Sequence, residues 1–317
     1  MQMPAKLQQA IEQEAARIGF SKLAQAATEL SANYRFRQGS HNKFIPTEAH
    51  RIAYLATRLP ATYAAIRAAL REIQWPITSL LDLGAGPGTA AWAAAEVFAD
   101  LQTITLLERN RELMQLGQTF AAQADNAALR AATWLAADLA TAQTFPPHDL
   151  VIASYALGEL PAPTARAVVQ AAWQAADKAL VLIEPGTMNG FALLRQWRDD
   201  LLQAGGHLLA PCPHARSCPM PADDWCHFAA RVERSALHRK LKAGALGYED
   251  EKFSYVVMAK QPVKSASARI LRRPAIQSGF VQLQLCTSAD LQNLTVTRRD
   301  KGAFKRARKA DWGDRWE

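Results

Sequence analysis

Residues 80 to 96, LLDLGAGPGTAAWAAAE, constrain this chain more than any other stretch. Leu80, Leu81 and Leu83 around a single acid, Asp82, read as a buried strand. Gly84, Gly86 and Gly88 follow at alternate positions, and an alanine-rich run then begins. A strand that becomes a helix through three closely spaced glycines predicts a tight βα turn whose backbone approaches a ligand closely. The new helix leaves its first N–H groups unpaired, so turn and helix start together form a binding edge. The same alternation continues downstream. Apolar runs at 103–108 (TITLLE), 133–138 (TWLAAD), 149–154 (DLVIAS) and 179–186 (ALVLIEPG) are separated by helical stretches, the pattern of a parallel α/β sheet.

Around this core the chain divides into four parts. Residues 1–75 are helical by pattern, with AYLATRLPATYAAIRAALREI (53–73) interrupted at Pro60. Residues 76–190 are the α/β core. Residues 191–252 hold a helix and a cysteine-rich stretch. Residues 253–317 carry strands at FSYVVMA, FVQLQLC and LTVT, followed by a basic tail. Length and 49% apolar content suffice for a real core. The N-terminus lacks the apolar run of a secretory signal, and no run approaches a membrane span. The expectation is a cytoplasmic protein.

Two acids support the glycine turn. Glu108 ends the second strand, where a carboxylate can accept both hydroxyls of a ribose, and Asp138 ends the third. With G-x-G-x-G spacing in place of the dinucleotide pattern G-x-G-x-x-G, the arrangement resembles the class I S-adenosylmethionine (SAM)-dependent methyltransferases. That resemblance implies a Rossmann-like sheet and a SAM site at Asp82, Gly84, Ala85, Gly86, Gly88, Glu108, Asp138 and Ser154. The competing local role for Asp138 is a helix N-cap. For catalysis the sequence offers less. ASYALGELP (153–161) stands where amino-methylating relatives carry an Asn/Asp-Pro-Pro-aromatic turn. Tyr155 can stack on a base and Glu159 can orient one, but the two do not complete a catalytic signature, and ordinary loop packing accounts for them equally well.

CPHARSCPMPADDWCHF (212–228) holds three of the four cysteines and two histidines. Prolines at 211, 213, 219 and 221 keep it extended. Cys212, preceded by proline, suits a ligand better than a nucleophile. With Cys286, the four thiols can hold a [4Fe–4S] cluster or a structural zinc, and His214 or His227 allows zinc on three thiolates and one imidazole. The spacing leaves iron–sulfur and zinc open.

Residues 212–260, together with LSANYR (30–35), AYLATRLPATYAA (53–65), LLDLGAGPGTA, LCT (285–287) and ARKADWGD (307–314), resemble the mitochondrial small-ribosomal-subunit methyltransferase-like family and its bacterial relatives. The likeness spans nearly the whole chain. It implies a SAM-binding class I fold, association with the small ribosomal subunit or its 16S rRNA, and a [4Fe–4S] cluster on Cys212, Cys218, Cys226 and Cys286. The absence of an evident transit peptide suits a bacterial member. Whether members transfer a methyl group is not implied; the mitochondrial branch looks more like an assembly factor.

The net charge of +8 is concentrated at the C-terminus, where twelve Lys/Arg face five Asp/Glu from residue 264 onward. RRDKGAFKRARKADWGDRW interleaves basic and aromatic residues, which suits phosphate contacts with base stacking, and RVERSALHRKLK (231–242) forms a second basic patch on an expected helix. RNA is the expected partner, with no membrane and no DNA. Two function classes follow: an rRNA methyltransferase, or a non-catalytic SAM-binding assembly protein, with cluster or zinc. A small-molecule methyltransferase fits the basic C-terminus poorly.

Overall fold

The computed structural model describes residues 1–36 and 45–317. The side chains of residues 33–36, which include part of LSANYR, lie outside the described residues. The chain forms two compact units, Met1–Asp177 with Ala230–Glu251, and Lys178–Ala229 with Lys252–Glu317.

The first unit opens with four helices, α1 (Ala5–Ile18), α2 (Phe20–Phe36), α3 (Glu48–Thr57) and α4 (Leu59–Leu70). The Thr47 side chain caps α3 by accepting from the His50 N–H. Pro60 falls in the first turn of α4, where its missing N–H costs nothing, so the chain restarts a helix there. Helix α4 is buried on nearly every side, which explains why its apolar pattern has no polar stripe.

Strands β1 (Ser79–Leu83), β2 (Thr103–Glu108), β3 (Thr133–Ala136) and β4 (His148–Ser154) follow, with α5 (Thr89–Val97), α6 (Arg111–Ala121), α7 (Ala127–Arg130) and α8 (Ala162–Ala175) between and after them. The order is β3-β2-β1-β4, all parallel, with Asp82 opposite Leu106 on one side and Ile152 on the other. The order reverses at β1, so the crevice beyond the ends of β1 and β4 is the topological switch point where such sheets bind ligands.

Strand β5 (Ala176–Pro185) leads into the second unit, which holds α9 (Met188–Gln203), β6 (His207–Ala210) and most of β8 (Tyr248–Ala259), while most of β7 (Phe228–Glu233) and all of α10 (Ala236–Leu241) belong to the first. Within this unit β8 runs antiparallel to both β5 and β6. The strand orders β3-β2-β1-β4 and β5-β8-β6, with β8 reversed, are those of the class I methyltransferase fold. A second sheet comprises β9 (Ala268–Ile270), β10 (Ala275–Ile276), β11 (Phe280–Thr287), β12 (Leu291–Thr297) and β13 (Arg315–Trp316), with α11 (Lys301–Ala307) packed on it.

Three expectations change. The basic C-terminus is a built part of this sheet, because Ala307 is fully buried and Phe304 and Trp316 pack against Ile270, Val281 and Leu283. The patch at 231–242 begins as strand β7 and becomes helical only at Ala236, where Ser235 caps α10. Asp138 lies two residues beyond the end of β3.

Candidate functional site

In the first unit the glycine turn is bent by backbone geometry. Gly84, Gly86 and Gly88 have φ of +73°, +54° and +83°, a region that disfavours other residues. The N–H groups of Gly84 and Ala85 both donate to the Leu107 carbonyl at 2.9 Å, which folds the turn over the end of β2. A Cβ at Gly84 would meet the Ala156 Cβ at 2.6 Å, whereas one at Gly86 would meet nothing within 4 Å. Gly84 therefore admits the neighbouring β4 loop, and Gly86 keeps the crevice open.

Glu108 is 9% exposed, and its carboxylate accepts from the N–H of Gly86 at 2.7 Å and of Asn110 at 2.7 Å. Each oxygen retains a lone pair for a ligand. Asp82 is fully buried beneath the turn, and neither of its oxygens has a hydrogen-bond partner. Burial, and then the charge of Glu108, pushes its carboxyl up to about 8.

The crevice brings together Gly84, Ala85, Gly86, Glu108, Asp138, Ser154, Tyr155 and Glu159. Asp82 and Gly88 do not line it: Asp82 is sealed below, and Gly88 is turned toward Trp134. The Asp138 carboxylate accepts from the Ala140 N–H at 2.9 Å and pairs with Arg109 at 3.5 Å; this is an Asx-type turn and not the helix N-cap expected as its competing role, since β4 is the next element. Tyr155 sits at φ +55°, so the β4 loop turns sharply at the crevice wall. Sequence reasoning missed the wall supplied by Ile45, Tyr54, Thr62 and Ile66. No local signal in the sequence marks them, because apolar helix residues look alike whether they face a core or a ligand.

In the second unit Cys212, Cys218, Cys226 and Cys286 line one small cavity with His214, Arg198 and Arg269. Phe191, Leu194, Met220, Leu271 and Leu291 supply apolar wall, and no carboxylate is among the described lining residues. The Cys286 thiol lies 3.6 Å from His214 Nε2. Burial pushes the thiols of Cys212, Cys226 and Cys286 up, Cys286 to about 12, and the neighbouring thiols add to the rise for each. Burial, and then the cations Arg198 and Arg216, push the His214 imidazole below its ordinary value. Among the described residues, no group of three or more His, Cys, Asp or Glu is arranged to hold a metal ion. His227 does not line the cavity; it stacks on Trp225 at 5.1 Å and meets Trp312 edge-on at 4.9 Å.

Arg198 and Arg269 were not anticipated. Both are 2% exposed. Arg269 donates to the carbonyls of Pro211 at 3.0 Å and Gly313 at 2.8 Å, and Arg198 donates to those of His214 and Arg216. The two guanidinium groups hold the cysteine loop on either side of Cys212.

On the second sheet, Arg298, Arg299, Lys301, Lys305, Arg306, Arg308, Lys309 and Arg315 are exposed. The aromatic rings are not presented as an open stacking platform. Arg298 and Arg308 lie 6.0 and 5.9 Å from the centroid of Phe304, and Arg306 lies 5.8 Å from that of Trp316. The exposed face therefore presents cations, with guanidinium groups lying over its two aromatic rings. Among the described residues, no helix is long and apolar enough to cross a membrane.

Comparison with known proteins bears on these features. The chain is 27% identical over 298 residues to the human ribosome assembly protein METTL17, mitochondrial, covering 84% of this chain and 62% of that protein. It is 25% identical over 328 residues to the Rsm22-cox11 tandem protein 2, mitochondrial, of Schizosaccharomyces pombe, covering 84% of this chain and 43% of that protein. It thus spans about two fifths to three fifths of these relatives' length. Among solved structures it is similar to the magnesium protoporphyrin IX methyltransferase of Synechocystis with bound SAM, at 14% identity and a TM-score of 0.43, over 72% of this chain and 89% of that one. The expectation of a cytoplasmic protein is corrected here, since the sequence relatives are mitochondrial proteins. A family model described as mitochondrial small ribosomal subunit Rsm22 matches residues 48–317, and the chain belongs to that family.

Proposed function

We propose that the chain is a SAM-binding protein that acts in assembly of the small ribosomal subunit. The observation that carries the reading is the crevice at the β1/β4 switch point, where Glu108 is held by two backbone N–H groups and Asp82 lies unpartnered beneath. In this reading Glu108 accepts the ribose hydroxyls, and the Gly84–Gly86 backbone lies against the cofactor. The Asp82 carboxyl, kept protonated by burial, would give up its proton when a cationic ligand lies above it. Ser154 and Asp138 close the far wall. Bound SAM supplies an electrophilic methyl group. The small subunit as partner is supported by the family and by the relative named a ribosome assembly protein. The exposed cations of the second sheet offer a surface for rRNA phosphates.

A second reading, methyl transfer to rRNA, is favoured by Tyr155 and Glu159 at the crevice wall. There Tyr155 stacks on the acceptor base and Glu159 orients it. Alignment alone is enough to drive a displacement of this kind.

The thiol cavity is read as the site of a [4Fe–4S] cluster. Four thiols and no lining carboxylate form a donor set suited to a thiophilic group. When bound, a cluster supplies a four-point tie between the cysteine loop and β11.

Calorimetric titration with SAM tests the first reading. Wild type binds, and Glu108→Gln weakens binding at least tenfold; absence of binding by the wild type overturns it. Tagged protein then recovers small-subunit particles, and tritiated SAM incubated with those particles separates the readings. Label in rRNA that disappears in Glu159→Gln establishes transfer, whereas binding without label leaves the assembly role. Anaerobic protein carrying about four irons per chain supports the cluster, and one stoichiometric zinc overturns it.

A further inference from the structure

Arg198, on α9, is almost entirely buried and lines the thiol cavity. Its Nη2 donates to the carbonyls of His214 at 2.8 Å and Arg216 at 2.7 Å, and its Nη1 pairs with Asp199. Both carbonyls belong to the loop between Cys212 and Cys218. Of its five N–H groups, Nε–H is buried and has no hydrogen-bond partner, and the guanidinium is already a side-chain hydrogen-bond partner of the Cys212 thiol. Folded proteins rarely leave such a donor unsatisfied, and one that remains calls for a group that arrives later. No carboxylate among the described lining residues can take that role, while four sulfurs share the cavity.

We infer that Arg198 is the positioning residue of the thiol site: its Nη2 clasps the cysteine loop, and its Nε–H is kept for a sulfur of the metal centre. This rests on reading the four thiols as ligands of an iron–sulfur cluster. A merely structural arginine needs only the loop carbonyls. An arginine that also serves a sulfur changes the electronic properties of the centre. A donor and a positive charge at a cluster sulfur stabilise the added electron, and hydrogen bonding to the sulfurs is one of the determinants of cluster potential. The guanidinium suits both tasks, because its planar fork serves two carbonyls while Nε points a third way.

The test uses the full chain purified without oxygen, as wild type, Arg198→Gln and Arg198→Lys. Two properties are read: the iron–sulfur stretching bands in resonance Raman spectra, and the reduced fraction by electron paramagnetic resonance during dithionite titration. In Arg198→Gln the stretches move, and the ratio of reduced to oxidised cluster at a fixed potential falls about tenfold, equivalent to about 59 mV for a one-electron couple. Arg198→Lys keeps the charge and lacks Nε–H, so it recovers part of the potential while its stretches still move. Should Arg198→Gln not fold, the lysine variant carries the test through the stretches alone. Brown wild-type protein whose variants share its stretches and its potential overturns the role of Arg198 and leaves the cluster standing. Colourless wild-type protein overturns the cluster reading, and this inference with it.

Discussion

The crevice of the first unit is lined by short runs of consecutive residues, Gly84–Pro87, Glu108–Arg109 and Ser154–Ala156, and much of what faces a ligand is backbone. The thiol cavity of the second unit draws its cysteines from positions 212, 218, 226 and 286 and its cations from 198 and 269, and what they present is side chain. The crevice is a property of strand ends in a parallel sheet, so it persists wherever the strands and glycines do. The cavity exists only while a proline-broken loop is held against α9 and β9. A site of the first kind, its Glu108 carboxylate apart, tolerates side-chain change and is sensitive to backbone geometry. One of the second kind has the opposite sensitivities, and each prediction below sets one against the other.

The largest effect is expected at Arg269. Replacing it with methionine keeps the stem but removes the donors to Pro211 and Gly313, leaving buried carbonyls unpaired at about 1–3 kcal/mol each. Arg269→Met should therefore lower stability by about 4 kcal/mol in urea denaturation. Calorimetry at a temperature where the variant is folded should find SAM affinity unchanged. Loss of SAM binding by folded Arg269→Met would break the comparison, because it would make the crevice depend on the thiol site.

The glycines offer the reverse experiment. Gly84→Ala drives a Cβ to 2.6 Å from the Ala156 Cβ at φ +73°. Overpacking and left-handed strain together should cost about 3 kcal/mol. Gly86→Ala, at φ +54° with nothing within 4 Å, carries only the strain, about 1 kcal/mol. Thermal unfolding should rank the two in that order, and equal losses would mean that the β4 loop moves freely. Both variants should keep the metal content of the wild type.

How much of each site could be read in advance follows from the same contrast. LLDLGAGPGTA announces its own turn, because strand, glycines and helix are contiguous and each has a local physical signature. The strand-two acid lies at the strand end that alternation predicts. The cysteines were conspicuous by scarcity. Arg198 and Arg269 were not: one sits mid-helix and the other in a short strand, and no local rule separates a buried arginine from a surface one. Tyr54 and Ile66 were hidden likewise, because apolar helix residues look alike whether they face a core or a ligand. The basic C-terminus misled for a related reason. Charge dominates its composition, while a few residues such as Ala307 and Trp316 decide that it folds.

Asp82 gives a pH signature that belongs to the first unit alone. Its carboxyl is pushed up to about 8, mainly by burial and then by Glu108, from an ordinary 3.8. A raised carboxyl contributes stability that is fully present below the unfolded value and is lost as pH rises through the folded one. Between pH 5 and 7 the unfolded chain has lost this proton and the folded chain keeps it. The contribution should then fall by about 1.4 kcal/mol per pH unit. Subtracting the stability curve of Asp82→Asn from that of wild type isolates this slope. A flat difference would show that Asp82 is already ionised and partnered. A cationic ligand above it should pull the proton off, so calorimetry in buffers of different ionisation enthalpy should record proton release on SAM binding.

The smallest effect on folding is expected on the second sheet, where function depends on neither buried groups nor glycines. Lys301, Lys305 and Lys309 are exposed and leave the packed face of α11 untouched. Removing residues 298–317 outright would not isolate their charge, because it would also take Ala307 and Trp316 out of the core of that sheet. Changing the three lysines to glutamine should leave the unfolding midpoint unchanged while weakening binding to rRNA. If each lysine sits on a duplex phosphate, the slope of log affinity against log salt should shrink by about 0.9 for each one removed, or about 0.7 on single strands. The size of that step therefore also reports the kind of RNA engaged, and with Phe304 and Trp316 already covered by arginines the duplex value is expected. An unchanged slope would move the RNA surface off this sheet, and the basic residues of α10 in the first unit would be the next place to measure.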